Sequence, residues 1–132
     1  MYLQVAERNG VIVFGGEKML SNADVTFYSA KTFERHTANK AYFTDNRGQT
    51  LKKNGIEISD AISVYLYTDE YIPKAGDIVV RGIVNFSFDT STKESVSGSM
   101  KLFRQQYPDF AVVKSVSDYR FGGLPHIEIT AR

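Results

Sequence analysis

The sequence predicts a mainly β domain, a small β-barrel or sandwich with one short helix and a long basic loop. Apolar residues recur mostly at a spacing of two, which is the period of a strand. The strand-like runs are short, and turns that contain Gly or Asn separate them. The 132 residues, 42% hydrophobic and 23% charged, have the size and composition of one globular domain. A closed barrel or a sandwich is favoured over an open sheet because closure removes exposed strand edges.

The first eighteen residues are predicted to form a small hairpin. Two short apolar runs flank Asn9-Gly10, a dipeptide favoured in tight hairpin turns. We therefore divide the chain into an N-terminal arm or hairpin, residues 1–18, and a single β-barrel domain, residues 19–132. Met19 is an alternative start of the chain, which would make the preceding segment an arm or the result of an upstream translation choice.

The clearest strand lies at residues 61–68. Ile62, Val64 and Leu66 alternate there with Ser63, Tyr65 and Tyr67, so that one face is aliphatic and the other polar and aromatic. Five more stretches have the composition of strands: residues 24–28, 41–44, 78–88, 112–116 and 126–130. Gly82 lies within the third of these, where a bulge or sharp bend would fit.

One helix is predicted, at residues 99–107. Met100, Phe103 and Tyr107 have the spacing of one helix face, and serines at its start can cap the first turn. Pro108 ends the pattern because proline cannot continue a helix. The sequence therefore predicts one short helix added to a β domain.

Composition excludes several kinds of site. The chain has no cysteine, which excludes a disulfide framework, a thiolate metal site and a cysteine nucleophile. Its two histidines, His36 and His126, lie ninety positions apart, which argues against a multi-histidine site. No apolar run approaches the roughly 20 residues of a membrane helix. We therefore expect no metal, no cofactor and no membrane span.

Catalytic motifs are also lacking. The carboxylates Asp69-Glu70 and the pair Glu57 and Asp60 have no base, nucleophile or metal ligand at a defined spacing. No nucleophile elbow or phosphate-binding loop occurs in the sequence. We therefore predict that the protein is not an enzyme, and a hydrolase that uses Asp or Glu is a minor alternative.

Charge is distributed unevenly along the chain, although the net charge is only +1. Residues 31–55 carry six Lys or Arg against two Asp or Glu, and residues 56–92 carry two against six. The two segments therefore have net charges of +4 and −4. This division is typical of a solvated surface, of a subunit that meets its neighbour through opposite charges, or of a site for a phosphate backbone.

Tyrosine and phenylalanine are abundant, with eight and nine residues. Tyr65 and Tyr67 lie on the face opposite the aliphatic row of their strand, and Tyr71 follows shortly after. Tyrosine is enriched where subunits bury surface and keep a polar contact, so these three are candidate subunit contacts. The alternatives are that large rings fill the barrel interior or that they stack on bases.

Three stretches, taken in their order and spacing, carry a family resemblance. They are Asn22-Ala23-Asp24-Val25-Thr26-Phe27-Tyr28, Gly76-Asp77-Ile78-Val79-Val80-Arg81-Gly82, and Val113-Lys114-Ser115-Val116-Ser117-Asp118 followed by Gly122-Gly123-Leu124-Pro125-His126-Ile127-Glu128-Ile129. Over residues 22–132 the chain resembles small proteins of tailed bacteriophages and Gram-positive prophages, the products of the head-to-tail joining genes.

The resemblance implies a head-closure protein, or stopper, in the neck of the virion. Such a protein is a small β-barrel repeated in a homo-oligomeric ring, which joins head to tail and retains packaged double-stranded DNA. It implies contacts with portal or adaptor proteins and with tail proteins, assembly in the host bacterial cytoplasm, and no membrane. The implied loop toward the DNA corresponds to residues 31–55, so Lys40, Arg47, Lys52 and Lys53 are expected to face DNA.

Gly76-Asp77 is predicted to form the tight turn before the strand at residue 78, with Gly relieving backbone strain and Asp bonding nearby amides. Two alternatives for the function stay open. One is a tail-completion or tail-terminator ring, which would share the fold and sit on the tail tube. The other is a monomeric nucleic-acid-binding β-barrel, in which the basic segment grips single strands and aromatic rings stack on bases.

Overall fold

The computed structural model describes residues 6–8, 11–14, 17–47, 52–53, 56–57, 61–68, 70–121 and 125–132. Within these ranges there are eleven strands and one helix. The strands are β1 (Ala6–Arg8), β2 (Val11–Phe14), β3 (Glu17–Leu20), β4 (Ala23–Tyr28), β5 (Arg35–Asp45), β6 (Lys52–Lys53), β7 (Ile56–Glu57), β8 (Ile62–Leu66), β9 (Ile78–Arg81), β10 (Ala111–Asp118) and β11 (Ile127–Ala131). The helix is α1 (Lys93–Gln106).

Six of the strands close into an antiparallel barrel, in the order β10-β11-β8-β5-β4-β9. Because the last strand of this order pairs with the first, the sheet has no outer strand at either end. This confirms the prediction of a mainly β fold with one short helix, and the barrel is the closed form of the two architectures predicted.

The barrel interior is filled by the inward residues of all six strands. Along β8, Ile62, Val64 and Leu66 are buried, which confirms the predicted aliphatic face. Inward-facing residues of the other five barrel strands complete this core: Val25, Phe27, Ala41, Phe43, Val79, Ala111, Val113, Ile127, Ile129 and Ala131. The core combines small side chains, such as Ala41, Ala111 and Ala131, with large ones, such as Phe27 and Phe43.

A second apolar layer covers the outside of β4 and β9. Tyr28, Ile78 and Val80 point away from the barrel interior but are buried, because α1 packs over them. Phe103 of α1 is fully buried at the centre of this layer. Its ring centroid lies 5.1–5.5 Å from those of Tyr28, Phe86, Phe88, Tyr107 and Phe110. We call these six residues the aromatic layer.

The helix begins earlier than predicted, at Lys93 instead of residue 99. The hydroxyl of Thr92 caps it by accepting the amide of Ser95 at 3.0 Å. The first turns of the helix contain serines and Gly98, which have low helix propensity and are not large apolar residues. The spacing of apolar residues therefore does not predict these turns. Tyr107 is the C-cap, directly before Pro108, so the predicted end is confirmed.

The predicted strand at residues 78–88 is wrong in its second half, because β9 ends at Arg81. Gly82 bends the chain there with a φ of +89°, as its position predicts. Beyond the bend, the amide of Val84 donates to the hydroxyl of Thr26 at 3.1 Å instead of to a neighbouring strand. The apolar residues of this segment therefore pack against α1 without joining the sheet.

Strands β1, β2 and β3 form a separate three-stranded sheet. Arg8 pairs with Val11, so β1 and β2 form the hairpin predicted at the start of the chain. Asn9-Gly10, the predicted turn, lies outside the described residues. Strand β3 pairs with β2 and is the third strand of this sheet. It contains residues 18 and 19, so it crosses the boundary between the two predicted segments of the chain.

Candidate interaction surface

One half of the barrel presents an outer face that α1 does not cover. On this face Tyr42 of β5 pairs with Tyr65 of β8, and Tyr65 pairs with Glu128 of β11. Glu128 in turn pairs with Ser117 of β10. Side chains that pair in register lie on the same face of a sheet, and their chain neighbours Phe43, Val64 and Ile129 point into the core. A row of polar and aromatic side chains therefore crosses four strands.

A second row, of small hydroxyl residues, runs beside the first. It consists of Thr44, Ser63, Thr130 and Ser115, which pair in register across the same four strands. Among the eight residues of the two rows, Glu128 is the one with a charge. We call this eight-residue surface the outer face. Charged residues are depleted at the centres of protein interfaces, and Tyr and Ser lose little conformational entropy on binding.

Aromatic rings form a continuous ridge on the outer face. The ring centroids of Tyr42 and Tyr65 are 6.1 Å apart, and those of Tyr65 and His126 are 5.6 Å apart. Tyr119 stacks on His126 with a centroid distance of 5.1 Å. His126 is held in place by Glu128, with 3.1 Å between Nε2 and Oε1. We call Tyr42, Tyr65, His126 and Tyr119 the aromatic ridge.

The ridge ends near Phe121, whose side chain is 83% exposed. The turn that carries Phe121 is built on Asp118, whose carboxylate accepts the amide of Arg120 at 3.0 Å. The Arg120 guanidinium pairs with the same carboxylate at 2.8 Å and lies 5.5 Å from the Phe121 ring centroid. These contacts connect Asp118, Arg120 and the exposed Phe121, and we call residues 118–121 the Phe121 tip.

The three tyrosines predicted at subunit contacts lie in different environments. Tyr65 is exposed at the centre of the outer face. Tyr67 is only 4% exposed, so it offers little surface to a partner. Tyr67 follows directly after β8, which ends at Leu66. Tyr71 is half-buried and packs within the protomer.

Burial raises the pKa of Tyr67 from an ordinary value of 10.0 to about 12. A phenol whose pKa is higher in the folded state stabilises the fold below pH 10, and this contribution is lost as the pH rises through 12. We expect the free energy of unfolding to fall by about 2–3 kcal/mol over that interval through this group. Urea titrations at pH 9 and pH 12 should show a smaller fall for Tyr67→Phe than for the unmodified chain. An equal fall in both proteins would contradict this origin.

Tyr71 belongs to a buried cluster beneath the turn at Gly76-Asp77. Its hydroxyl donates a short hydrogen bond to Oδ2 of Asp77, and its ring stacks on His36 with a centroid distance of 3.8 Å. Burial and the Asp77 carboxylate both raise the pKa of the Tyr71 phenol. Asp77 is 3% exposed and also accepts the amides of Ala30 and Lys74, each at 3.0 Å. The carboxylate therefore joins the segment at residues 71–77 to Ala30, which follows β4.

Gly76 has a φ of +97°, a conformation that favours glycine. A Cβ atom added at this position would lie 3.4 Å from Cβ of Ala30. The amide of Gly76 donates to the carbonyl of Val113 at 2.8 Å, and the amide of Val113 donates to the carbonyl of Asp77 at 2.7 Å. The turn thereby joins the start of β9 to β10.

The long basic loop expected at residues 31–55 is not a single loop, because residues 35–45 form β5, the longest barrel strand. Lys40 lies in β5, half-buried at an irregularity with a φ of +61°, where its amide donates to Asp24 at 3.0 Å. Lys52 and Lys53 form β6, which pairs with β7 in a two-stranded ribbon, and their side chains lie outside the described residues. The sequence predicted a strand only at residues 41–44 of β5, because most of the residues before them in the strand are polar.

The guanidinium of Arg47 is engaged within the fold. It donates to both carboxylate oxygens of Asp45, at 3.1 and 3.0 Å, and these contacts lower the pKa of Asp45. It also donates to the carbonyl of Phe110 at 2.8 Å and, through a short hydrogen bond, to that of Asp109. Arg47 thereby fastens the end of β5 to the segment between α1 and β10.

We expect Arg47→Lys to lower the free energy of unfolding by about 1–3 kcal/mol, since an ammonium cannot reproduce the planar set of donors. Urea denaturation monitored by circular dichroism measures this loss. Arg104→Lys, at an exposed position of α1, is the matched control and should change the stability by less than about 0.5 kcal/mol. Equal stabilities of the two variants would show that the carbonyl contacts of Arg47 do not stabilise the fold.

Sequence reasoning missed most of the outer face. Tyr42, His126, Tyr119 and Phe121 were not among the candidate residues. Tyr42 lies on β5, His126 directly before β11, and Tyr119 and Phe121 directly after β10, so the register of the barrel brings these separate segments together. Tyr42 could have been found from its predicted strand at residues 41–44, in which it alternates with inward-facing residues as Tyr65 does in β8. Across the described part of the chain, no group of three or more His, Asp or Glu residues could hold a metal ion.

No helix in the described ranges is long and apolar enough to span a membrane. A family model, described as a family of unknown function (DUF6751), matches residues 20–132 of the chain. Neither a curated protein nor a solved structure matches it. The match covers the barrel strands and α1, and so includes the outer face and the Phe121 tip.

Proposed function

The chain belongs to DUF6751, a family of unknown function, and we propose that it is a structural, non-enzymatic subunit of a homo-oligomeric ring. The observation that carries this proposal is the outer face. It spans four strands, bears one charge among eight residues, and displays tyrosines and small hydroxyl side chains. This chemistry is typical of surfaces that bury against another protein.

A ring requires that the outer face of one copy meet a different surface of the next copy. In the barrel order, β8 and β11 lie opposite β9 and β4, so the outer face and the α1 side are on opposite sides of the protomer. A subunit whose binding surfaces lie on different sides associates head to tail, and such a contact closes into a ring when the rotation permits.

The place of the ring comes from the sequence resemblance. We propose that it lies in the neck of a tailed phage as a head-closure protein, between portal or adaptor proteins and the tail, where it helps to retain packaged DNA. Lys52 and Lys53 are the basic residues of the proposed DNA contact, because Arg47 is engaged within the fold. A tail-completion ring would use the same subunit contacts, and the order of the neighbouring genes distinguishes the two positions.

Assembly of the purified chain tests the ring. We expect native mass spectrometry and analytical ultracentrifugation to show a closed oligomer at high protein concentration. Tyr65→Lys places a charge at the centre of the outer face and should leave a folded monomer. Thr90→Lys adds the same charge at an exposed position away from that face and should leave the oligomer intact.

A chain that stays monomeric at every accessible concentration would overturn the ring. If that monomer also binds single-stranded oligonucleotides tightly at low salt, with loss of binding in Tyr65→Lys, the nucleic-acid-binding barrel is the correct function.

A further inference from the structure

His126 of the aromatic ridge and Glu128 of the outer face form an ionisable pair. Nε2 of His126 lies 3.1 Å from Oε1 of Glu128, two positions further along the chain. The backbone at His126 is fixed as well, since its carbonyl accepts the amide of Tyr119 at 2.9 Å and its amide donates to the Tyr119 carbonyl at 3.4 Å. The two side chains of the pair are 17% and 38% exposed. A partner that covers the outer face therefore covers this pair and takes it out of water.

The imidazole of His126 has two tyrosine rings as neighbours. It stacks on Tyr119 with a centroid distance of 5.1 Å, and its centroid is 5.6 Å from that of Tyr65. An aromatic face attracts a positive charge, and a hydrogen bond between charged partners is stronger than one between neutral groups. The site therefore accommodates the imidazolium, which has the carboxylate of Glu128 at Nε2.

The other charged groups on this side of the barrel are paired or more distant. Asp118 and Arg120, at the end of β10, form an ion pair with each other at 2.8 Å. Lys114 and Arg132 lie beyond the row of hydroxyl residues, on the side away from Glu128. Strand β8, which pairs with β11, contains no charged residue. The net charge at the centre of the outer face therefore depends on the protonation of the imidazole.

This net charge changes within the physiological pH range. Histidine gains its proton between pH 5 and 8, whereas carboxylates and phenols keep their charge across about pH 5.5–8. With a neutral imidazole the pair of His126 and Glu128 is negative, and with an imidazolium the pair is neutral as a whole. A shift in pH thus changes the charge of the pair without changing any other side chain of the outer face.

Burial of the pair against a neighbour favours its neutral form. An ionised carboxylate without a counter-charge costs more free energy in an interface than a hydrogen-bonded ion pair does. The other residues of the outer face are uncharged, so a surface that complements the face is largely uncharged too. Association then takes up a proton at His126, and a reaction that takes up a proton becomes more favourable as the pH falls.

We infer that His126 makes self-association of the chain depend on pH, so that the ring is favoured at mildly acidic pH and weakened at mildly alkaline pH. This inference rests on the proposed ring and adds the condition under which the ring assembles. Each copy buries one such pair, so a closed ring takes up one proton at every contact. The pair acts as a switch built into the interface.

Self-association measured across this pH range tests the switch. We expect analytical ultracentrifugation of the purified chain to give an association constant about tenfold or more higher at about pH 5.5 than at about pH 8. Circular dichroism at both values checks that the fold itself does not change.

Two variants of the pair predict different results. His126→Gln keeps a hydrogen-bond donor but cannot gain a proton, so its association should be weak and should vary by less than about twofold over the range. Glu128→Gln leaves a pair that is neutral at high pH and positive at low pH. Its association should therefore weaken by about tenfold as the pH falls, which reverses the sign.

His36→Gln is the matched control, because His36 is the other histidine of the chain and stacks on Tyr71 within the protomer. This variant should keep the dependence of the unmodified chain. If it does not fold, the reversal of sign in Glu128→Gln still decides the role of the pair.

The outcomes separate the switch from the ring itself. A ring that is equally stable at both pH values, or a dependence that survives in His126→Gln, overturns the switch and leaves the proposed ring standing. Association that strengthens as the pH rises also overturns it, and shows that the neighbour brings a cation to Glu128. A chain that is monomeric at every pH overturns both proposals.

Discussion

Phe103→Ala is expected to lower the free energy of unfolding by about 3–5 kcal/mol, the range found for a buried phenylalanine replaced by alanine. Phe103 is fully buried, and its ring contacts the other five members of the aromatic layer. Its loss leaves a cavity between α1 and the outside of β4 and β9. Urea denaturation monitored by circular dichroism measures the effect.

Leu102→Ala is the matched control for this substitution. Leu102 is adjacent in the chain and on the same helix, but 53% of its side chain is exposed. We expect its replacement to change the stability by less than about 0.5 kcal/mol. Equal losses at positions 102 and 103 would show that α1 does not depend on the aromatic layer for its docking.

Asp77→Ala is expected to have an effect of similar size, about 3–5 kcal/mol. It removes the acceptor shared by the hydroxyl of Tyr71 and the amides of Ala30 and Lys74, and this acceptor is 3% exposed. Three hydrogen bonds to one charged acceptor are lost together, and each such bond contributes more than a bond between neutral groups. The midpoint of urea unfolding should therefore fall sharply.

Tyr71→Phe separates the side-chain bond from the two backbone bonds. It removes one donor and keeps the aromatic contacts with His36 and Phe27, so we expect a loss of about 1–2 kcal/mol. A Tyr71→Phe loss as large as that of Asp77→Ala would assign the stabilisation to the phenol. The two backbone bonds of the turn would then contribute little.

Local patterns predicted the elements whose residues alternate regularly. The strands at residues 24–28 and 61–66 were predictable because one face of each is apolar and the other is not. The bend at Gly82 and the end of α1 before Pro108 were predictable from backbone restrictions that do not depend on the fold.

Tertiary context decided the elements that were mispredicted. In β5, many residues are polar and half-buried, so the strand exists because β4 and β8 pair with its two halves. At residues 83–88 the apolar side chains pack against α1. A strand also needs a neighbouring backbone for its hydrogen bonds, and local sequence does not show whether the fold provides one. Tyr67 is buried although Tyr65, two residues before it in the chain, is exposed.

By itself the sequence determined a mainly β fold, its aliphatic core rows, its turn at Gly76-Asp77 and the absence of cysteine chemistry, because these depend on residue type and local spacing. Only the tertiary structure decided which residues share a surface. The register of the barrel aligns Tyr42 with Tyr65 across strands, and the β10–β11 turn adds Tyr119 and Phe121. Register is a long-range property set by how core side chains pack, and short windows of sequence do not contain it.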